Sequence, residues 1–574
     1  MKDIVIEGYL KSFVEDFGFQ DLDESEQFER FCSFSILNKE FNYSLSDDDL
    51  NDISIGKNKG IDSIVFNVNG ELVKNKAQLE EIKKTSKQKL DIKLYFLQTK
   101  ISESFDDAQI GNFFDTITDF LTKTPNYPMT PEAKQYHEIF LSIQNDLGVV
   151  KEYNLHGYFC CIGTWNDQTT CAKTLINKKA VLENLKLFNK VDVKPIDKST
   201  LIDLYKKTSN PINATFDFVN RVQIRNIDNV EEAFIGYIPF TEFKKLIVDA
   251  DSGNLKNLFY DNIRDFLGLD NDVNEKIFQT LNEKEFSQFS LFNNGVTIIA
   301  EENTGRQDKF IIKNYQIVNG CQTSNVLYEC LGINGIDNAL IPVKLVITKD
   351  EVLRDKIILS TNSQSKIDKE GLLALTTFQK QLEEFYNSAN DNLYYERRNK
   401  QYANRDLKQI NIVNIREQIK SFVAMFLDEP HEVSGYFSKI YKERVGDIFI
   451  AEHMFEPYYI AGLIQYRFKQ LLNTKEIERK YNKARYHVFM LFRMLEETEP
   501  FHKDFLTRKK KKIYFENLLT ILRDKEKYLS SFKRIFKIID GSGIDILNSK
   551  EIYLKSTTTA FIESFKTMPK EDVK

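Results

Sequence analysis

Asp62, Gln98 and Lys100 are the side chains of this sequence best suited to chemistry on a phosphodiester. Asp62 stands at the start of an apolar run in Gly60-Ile-Asp-Ser-Ile-Val-Phe66, and a second run, Leu94-Tyr-Phe-Leu-Gln-Thr-Lys100, ends on an amide, a spacer and an amine. Alternation along a strand puts Gln98 and Lys100 on one face. If that strand pairs with the one starting at Asp62, the three side chains converge. The acid can then hold a divalent cation beside a neutral oxygen ligand, while the lysine orients a water or stabilises developing phosphorane charge. Mg2+ or Mn2+ is the cofactor these residue types call for. Glu29, on a helix predicted around Glu26–Leu37, is a further acid that would compensate for the neutral Gln98. The plainer alternative is that Asp62 ends a turn and Lys100 is an ordinary strand-end cation.

A second set of residues suits phosphate binding. Asn294 and Gly295 precede a β-branched strand, and Asn319 and Gly320 follow one. Asn-Gly steps tolerate positive φ and leave N–H groups free to point into a cleft. Gln322 and Thr323 come next, at the expected start of a helix, where an anion can be held. Asn362 and Gln364 add amides, and Arg264, Arg397 and Arg398 carry forked guanidinium groups that can grip two oxygens at once. Simple β-turns, and ion pairs to acids such as Glu396, are the competing readings. Two lysine clusters stand out in a chain of net charge −6: Lys74 to Lys89, with six lysines and two glutamates, and Lys509, Lys510, Lys511 and Lys512. Phosphate-backbone binding depends on such local density, whereas a solvated helix face has the same composition.

The elements that must position these residues can be read from periodicity. Strands are predicted at Ile61–Val68, Ile92–Thr99, His156–Thr164 and Val191–Ile196, with helices from Asp107 to Leu121, Ala172 to Phe188 and Thr200 to Lys207. This alternation implies an α/β domain over residues 1–205, ending before Thr208-Ser-Asn-Pro-Ile-Asn213. The phosphate-suited residues occupy residues 206–407, again on a mixed α/β background. The pattern over residues 408–574 is helical.

Five segments taken together carry a family resemblance: Asn262-Ile-Arg264, Phe292-Asn-Asn-Gly-Val-Thr-Ile-Ile299, Gln316-Ile-Val-Asn-Gly-Cys-Gln-Thr-Ser-Asn325, Thr361-Asn-Ser-Gln364 and Tyr394-Tyr-Glu-Arg-Arg398. In this order they resemble the abortive-infection phage-resistance (AIPR) family of bacterial defence proteins, over roughly residues 205–405. The Asp62, Gln98 and Lys100 pattern is similar to the PD-(D/E)xK restriction-endonuclease superfamily, in the Mrr-type variant with glutamine for the second carboxylate. These resemblances imply a restriction-endonuclease-like α/β domain, a central AIPR domain and a helical C-terminal domain for partners or assembly. They imply a metal-dependent nuclease acting on nucleic acid, DNA ahead of RNA, with a second copy of the chain or another defence-system protein as partner. The central loops are distantly similar to ParB-like and DGQHR-type domains, whose equivalent loops hold a nucleotide. Thr323 stands where those folds place an arginine, which bears on triphosphate hydrolysis. Two other functions remain open: a degenerate nuclease fold working as a nucleic-acid sensor, and a nucleotide hydrolase centred on the Asn-Gly-x-Gln-Thr loop.

At 574 residues, 42% of them hydrophobic, the chain exceeds one hydrophobic core and fits about three domains. The cysteines at 32, 160, 161, 171, 321 and 330 lack zinc-ligand spacing with the six histidines. With no basic-then-apolar leader and no run of membrane-spanning length, the expectation is a reduced, cytoplasmic protein without membrane contact.

Overall fold

The fold is described by a computed structural model over residues 3–567, apart from residues 42, 57, 87–88, 210–212, 249, 251–252, 254, 257, 259–271, 363–375, 398–400, 403–406, 434–439, 441–442, 445 and 548. It is mixed α/β with a helical C-terminal region. The chain forms two units, residues 1–208 with 380–574, and residues 209–379.

The first unit begins with helices α1 (Ile4–Phe17), α2 (Glu24–Leu37) and the short, acidic α3 (Asp47–Asp52). Its sheet contains β1 (Ser63–Val68), β2 (Glu71–Val73), β3 (Leu90–Lys100), β4 (Val150–Cys161) and β5 (Lys190–Ile196), in the order β2-β1-β3-β4-β5. β1 is antiparallel to β2 and β3, while β3, β4 and β5 are mutually parallel. Helix α4 (Lys76–Thr85) lies in the insertion between β2 and β3, α5 (Asp107–Phe120) and α6 (Pro131–Gln144) lead into β4, and α7 (Thr170–Asn184) leads into β5. α8 (Lys198–Ser209) follows β5. Ile64, Phe66, Ile92, Leu94 and Phe96 pack in one core with α4 to α7, and Val65, Tyr95 and Leu97 pack in the other with α1 and α2. Because both faces are covered, these strands read as continuous apolar runs. β4 starts earlier than its pattern predicts and stops before Gly163, where a Cβ would lie 2.5 Å from the Glu103 carbonyl oxygen and the chain must turn.

The second unit has β6 (Asn213–Asp217), β7 (Asn220–Ile224), β8 (Glu232–Pro239), β9 (Val296–Asn303), β10 (Lys309–Asn319) and β11 (Leu340–Ile347), in the order β6-β10-β9-β11-β8-β7. Helices α9 (Phe240–Ile247), α10 (Asp272–Asn282), α11 (Phe289–Phe292) and α12 (Cys321–Glu329) contribute to a core on one face. α13 (Glu351–Asn362) covers part of the other, with Ile357 and Ile358 against Ile299 and Val318.

The remainder of the first unit is α14 (Thr377–Ser388), the short parallel pair β12 (Tyr394–Glu396) and β13 (Ile412–Asn414), and then α15 (Ile415–Phe426), α16 (Glu456–Asn473), α17 (Arg485–Glu496), α18 (Lys512–Arg523), α19 (Lys525–Gly541), α20 (Ser549–Ile552) and α21 (Lys555–Thr567). Aromatic contacts fill this bundle: Phe422 stacks on Tyr458 at 4.1 Å, and Phe468 meets Phe489 and Phe532 edge-on. Ion pairs tie the bundle to α3. Lys469 bridges Asp47 (2.6 Å) and Glu417 (2.9 Å), and Arg485 pairs with Asp48 (2.5 Å).

Candidate active site

Antiparallel pairing of β1 with β3 sets Ser63 opposite Leu97, and this register brings Asp62 beside Gln98. The Asp62 N–H donates to the Leu97 carbonyl at 2.9 Å, so the ladder extends one residue beyond β1. Gly60 makes the approach possible. Its φ is +68°, and a Cβ there would lie 2.8 Å from the Asn112 carbonyl oxygen on α5. Three donors converge on a single carboxylate oxygen, Asp62 Oδ2: Gln98 Nε2 at 2.8 Å, the Thr99 main-chain N–H at 2.7 Å and the Thr99 hydroxyl at 2.9 Å. Lys100, one residue past Thr99, is near enough for its charge to act on Asp62.

Burial raises the Asp62 pKa, opposed by the Thr99 N–H, the Lys100 charge, the Thr99 hydroxyl and Gln98. Glu29 on α2 lies close by. Ser63 Oγ donates to Glu29 Oε1 at 3.1 Å, and Arg30 approaches the same oxygen at 2.9 Å. Burial lifts Glu29 to about 7; Arg30 lowers it and the negative charge of Asp62 raises it further. One turn along α2, Cys32 is fully buried, and its thiol is pushed up by burial, by a hydrogen bond with Cys160 and by the charges of Asp62 and Glu29.

The available oxygen atoms suit a hard divalent cation. Among the described residues no group of three or more His, Cys, Asp or Glu side chains could hold a metal. The site therefore supplies two carboxylates and an amide oxygen at most, a donor set that fits Mg2+ completed by water and phosphate better than an all-protein cage. The rise of Glu29 comes first from burial, with Arg30 opposing it and the Asp62 charge adding to it.

In the second unit three of the sequence segments adjoin. A bulge between Ile317 and Asn319 ends the pairing of β10 with β9, opposite Thr297. Gly320, at φ +98°, lies so close that a Cβ would meet Val296 Cγ2 at 2.8 Å and the Gly295 carbonyl oxygen at 3.0 Å. Asn319 Nδ2 donates to the Thr361 carbonyl at 2.6 Å, tying the loop to the end of α13, where Asn362 is the last residue. Gln322 Oε1 accepts from the fully buried Asn274 at 2.7 Å; Thr323 is buried and Asn294 is exposed. Arg264, Gln364 and Arg398 lie outside the described residues.

The AIPR protein family model matches residues 259–551, just over half of the chain. The chain belongs to the AIPR family. Membership points to abortive-infection defence against phage. No characterised protein and no solved structure matches this AIPR protein. The matched span includes the adjoining loops and most of the helical bundle, and excludes Asp62, Gln98, Lys100 and Glu29.

Two other sets of expected residues have defined surroundings. Arg397 belongs to the first unit, is 5% exposed and pairs with Glu383 at 2.6 Å. Lys511 pairs with Glu499 at 2.6 Å and Lys512 approaches Glu456 at 3.4 Å, whereas Lys509 and Lys510 are exposed and make no ion pair among the described residues. Sequence reasoning overlooked Thr99, Ser63 and Arg30. Alternation assigns Thr99 to the face opposite Gln98, and nothing in a linear pattern shows that its N–H reaches a carboxylate on the neighbouring strand. No described helix is long and apolar enough to cross a membrane.

Proposed function

We propose that this AIPR protein is a metal-dependent nuclease, acting on DNA in preference to RNA, whose second unit binds a nucleotide or a nucleic-acid feature. The observation that carries the reading is the meeting of Asp62 and Gln98 at 2.8 Å at the end of two paired strands, with Lys100 and the acid of Glu29 in range of Asp62. Asp62, the Gln98 amide oxygen and Glu29 would hold Mg2+ or Mn2+. When bound, such an ion polarises the phosphate and makes a water molecule more acidic. Lys100 stabilises charge that develops on the phosphoryl oxygens. Glu29, held at about 7 by burial in the metal-free chain, would give up its proton on binding the ion. The nucleotide-binding part of the reading rests on the adjoining loops of Gly295, Gly320 and Thr361.

A purified chain incubated with Mg2+ or Mn2+ and with duplex DNA, single-stranded DNA or RNA tests the first part. Cleavage lost in Lys100→Ala and Asp62→Asn is the expected result; cleavage that persists in both variants removes the reading. A second reading has an observation of its own: Asp62 Oδ2 is already engaged by three donors and Gln98 carries no charge, which suits a fold that binds nucleic acid without cutting it. DNA retained at equilibrium with no metal-dependent cleavage would favour that sensor. Calorimetry with nucleotides and oligonucleotides tests the second unit, using Asn294→Ala as the exposed-loop variant. Absence of any binding by the wild type leaves those loops as turns.

A further inference from the structure

We propose that Thr99 is the positioning residue of this site, holding the Asp62 carboxylate in one orientation through two donors on Oδ2 so that Oδ1 is left to an incoming cation. The inference rests on the nuclease reading only for the identity of the cation; the clamp itself is a matter of geometry. Thr99 contributes two of the three donors, at 2.7 Å and 2.9 Å, and is itself 5% exposed. Gln98 provides the third, and its Nε2 also lies 3.5 Å from the Thr99 carbonyl oxygen. Three donors from two adjacent residues of β3 therefore meet on one oxygen, and a carboxylate held in this way has little rotational freedom.

The residue type suits the task. A β-branched side chain is stiff about χ1, so the hydroxyl is already aimed and little further freedom is lost when it binds. The strand holds the second donor in place, since Thr99 is in register with Cys160 of β4 along the parallel pairing. Gln98 uses its amide N–H on Asp62, which leaves its carbonyl oxygen for a ligand. Both donors of Thr99 favour the ionised carboxylate, opposing the burial that raises its pKa. In metal sites generally, partners that orient a ligand are worth about 10- to 100-fold in metal affinity.

The test uses the full chain. Thr99→Val keeps the shape and the N–H but removes the hydroxyl, and Thr99→Ser restores it. The Asp62 carboxyl is titrated by NMR in metal-free protein labelled with 13C-aspartate, with Asp62→Asn to assign the signal, and Mn2+ binding is measured by calorimetry. The Val variant is expected to raise the Asp62 titration by about one pH unit and to weaken Mn2+ about tenfold, with Ser close to the wild type. Thr99→Ala serves as a second hydroxyl-free variant should Val perturb folding, and circular dichroism of each variant checks the fold. An Asp62 titration unchanged in every folded hydroxyl-free variant overturns the proposal, as does a shift that Ser fails to reverse. If the shift appears while the wild type binds no Mn2+, the clamp stands and the nuclease reading falls. If Mn2+ binds the wild type and the titration does not move, the reverse holds.

Discussion

Glu29 is the residue whose protonation is most affected by its surroundings at the candidate site. Its ordinary value of 4.5 is raised to about 7 in the folded chain by burial. The folded state thus keeps a proton that the unfolded state releases, so stability falls as the pH rises between about 4.5 and 7. Glu29→Gln should flatten this dependence. The loss of stability between pH 5 and pH 8 is expected to shrink by on the order of 3 kcal/mol relative to the wild type, read from urea denaturation at the two pH values. An identical slope in both proteins would show that Glu29 titrates normally. Lys100 should behave differently: it is partly exposed at a strand end and belongs to neither buried core, so Lys100→Ala should abolish cleavage while changing stability by less than about 0.5 kcal/mol. Tm and cleavage rate measured on the same preparation separate the two effects.

Strand pairing decides what each loop can do. Gly320 has positive φ and no room for a Cβ against Val296 and the Gly295 carbonyl, so its glycine is required by the packing of β9 against the start of α12. Gly320→Val should destabilise the second unit by about 1–3 kcal/mol whether or not a ligand binds there, visible as an earlier unfolding transition in calorimetry. Loss of ligand binding in that variant would therefore report fold damage, and exposed Asn294 is the better probe. The turn leading into α18 makes a sharper prediction for the lysine cluster. Since Glu499 and Glu456 already face Lys511 and Lys512, the cations available to a phosphate backbone are Lys509 and Lys510. Replacing these two with glutamine should reduce the salt dependence of DNA binding by roughly 0.7 to 0.9 in slope for each phosphate that is no longer neutralised, equally for unrelated sequences. Unchanged slopes would assign the cluster to solubility.

For the whole chain, the main consequence is that the first unit is discontinuous, its α/β part packed with the C-terminal helices. Asp48 of α3 is buried and Asp47 half-buried, and both pair with cations more than 400 residues away, Arg485 and Lys469. Arg485→Met should leave Asp48 buried without its partner and destabilise this unit by about 3–5 kcal/mol, and Asp48→Asn in the same chain should recover part of that. A fragment of residues 1–208 alone is expected to show poor chemical-shift dispersion, because α3 would present unpaired acids and α1 would lose the neighbours that Asn473 and Ile410 provide beside Gly18. A well-dispersed spectrum from that fragment would mean that the ion pairs are dispensable.

Several features were legible in the linear sequence because they follow from local rules. The apolar runs around Ile64–Val68 and Leu94–Lys100 became paired strands, the apolar face of Ile110, Phe113, Phe114 and Ile117 became the buried side of a helix, and the residues from 408 onward are mostly helical. Periodicity reports which face is apolar, and that alone is enough to form such elements. The convergence at Asp62 was legible only in part. Gln98 could be inferred from alternation, but Thr99 could not, since main-chain donors carry no sequence signal. For Arg397 the sequence left phosphate binding and an ion pair both open, and for Lys511 phosphate-backbone contact and a solvated face; only the fold showed Glu383 and Glu499 as their partners. The pairing of Asp48 with Arg485 was likewise beyond any window of sequence. Charge and hydrogen-bond partners are set by distance in three dimensions, whereas the sequence specifies only the types of group available to meet.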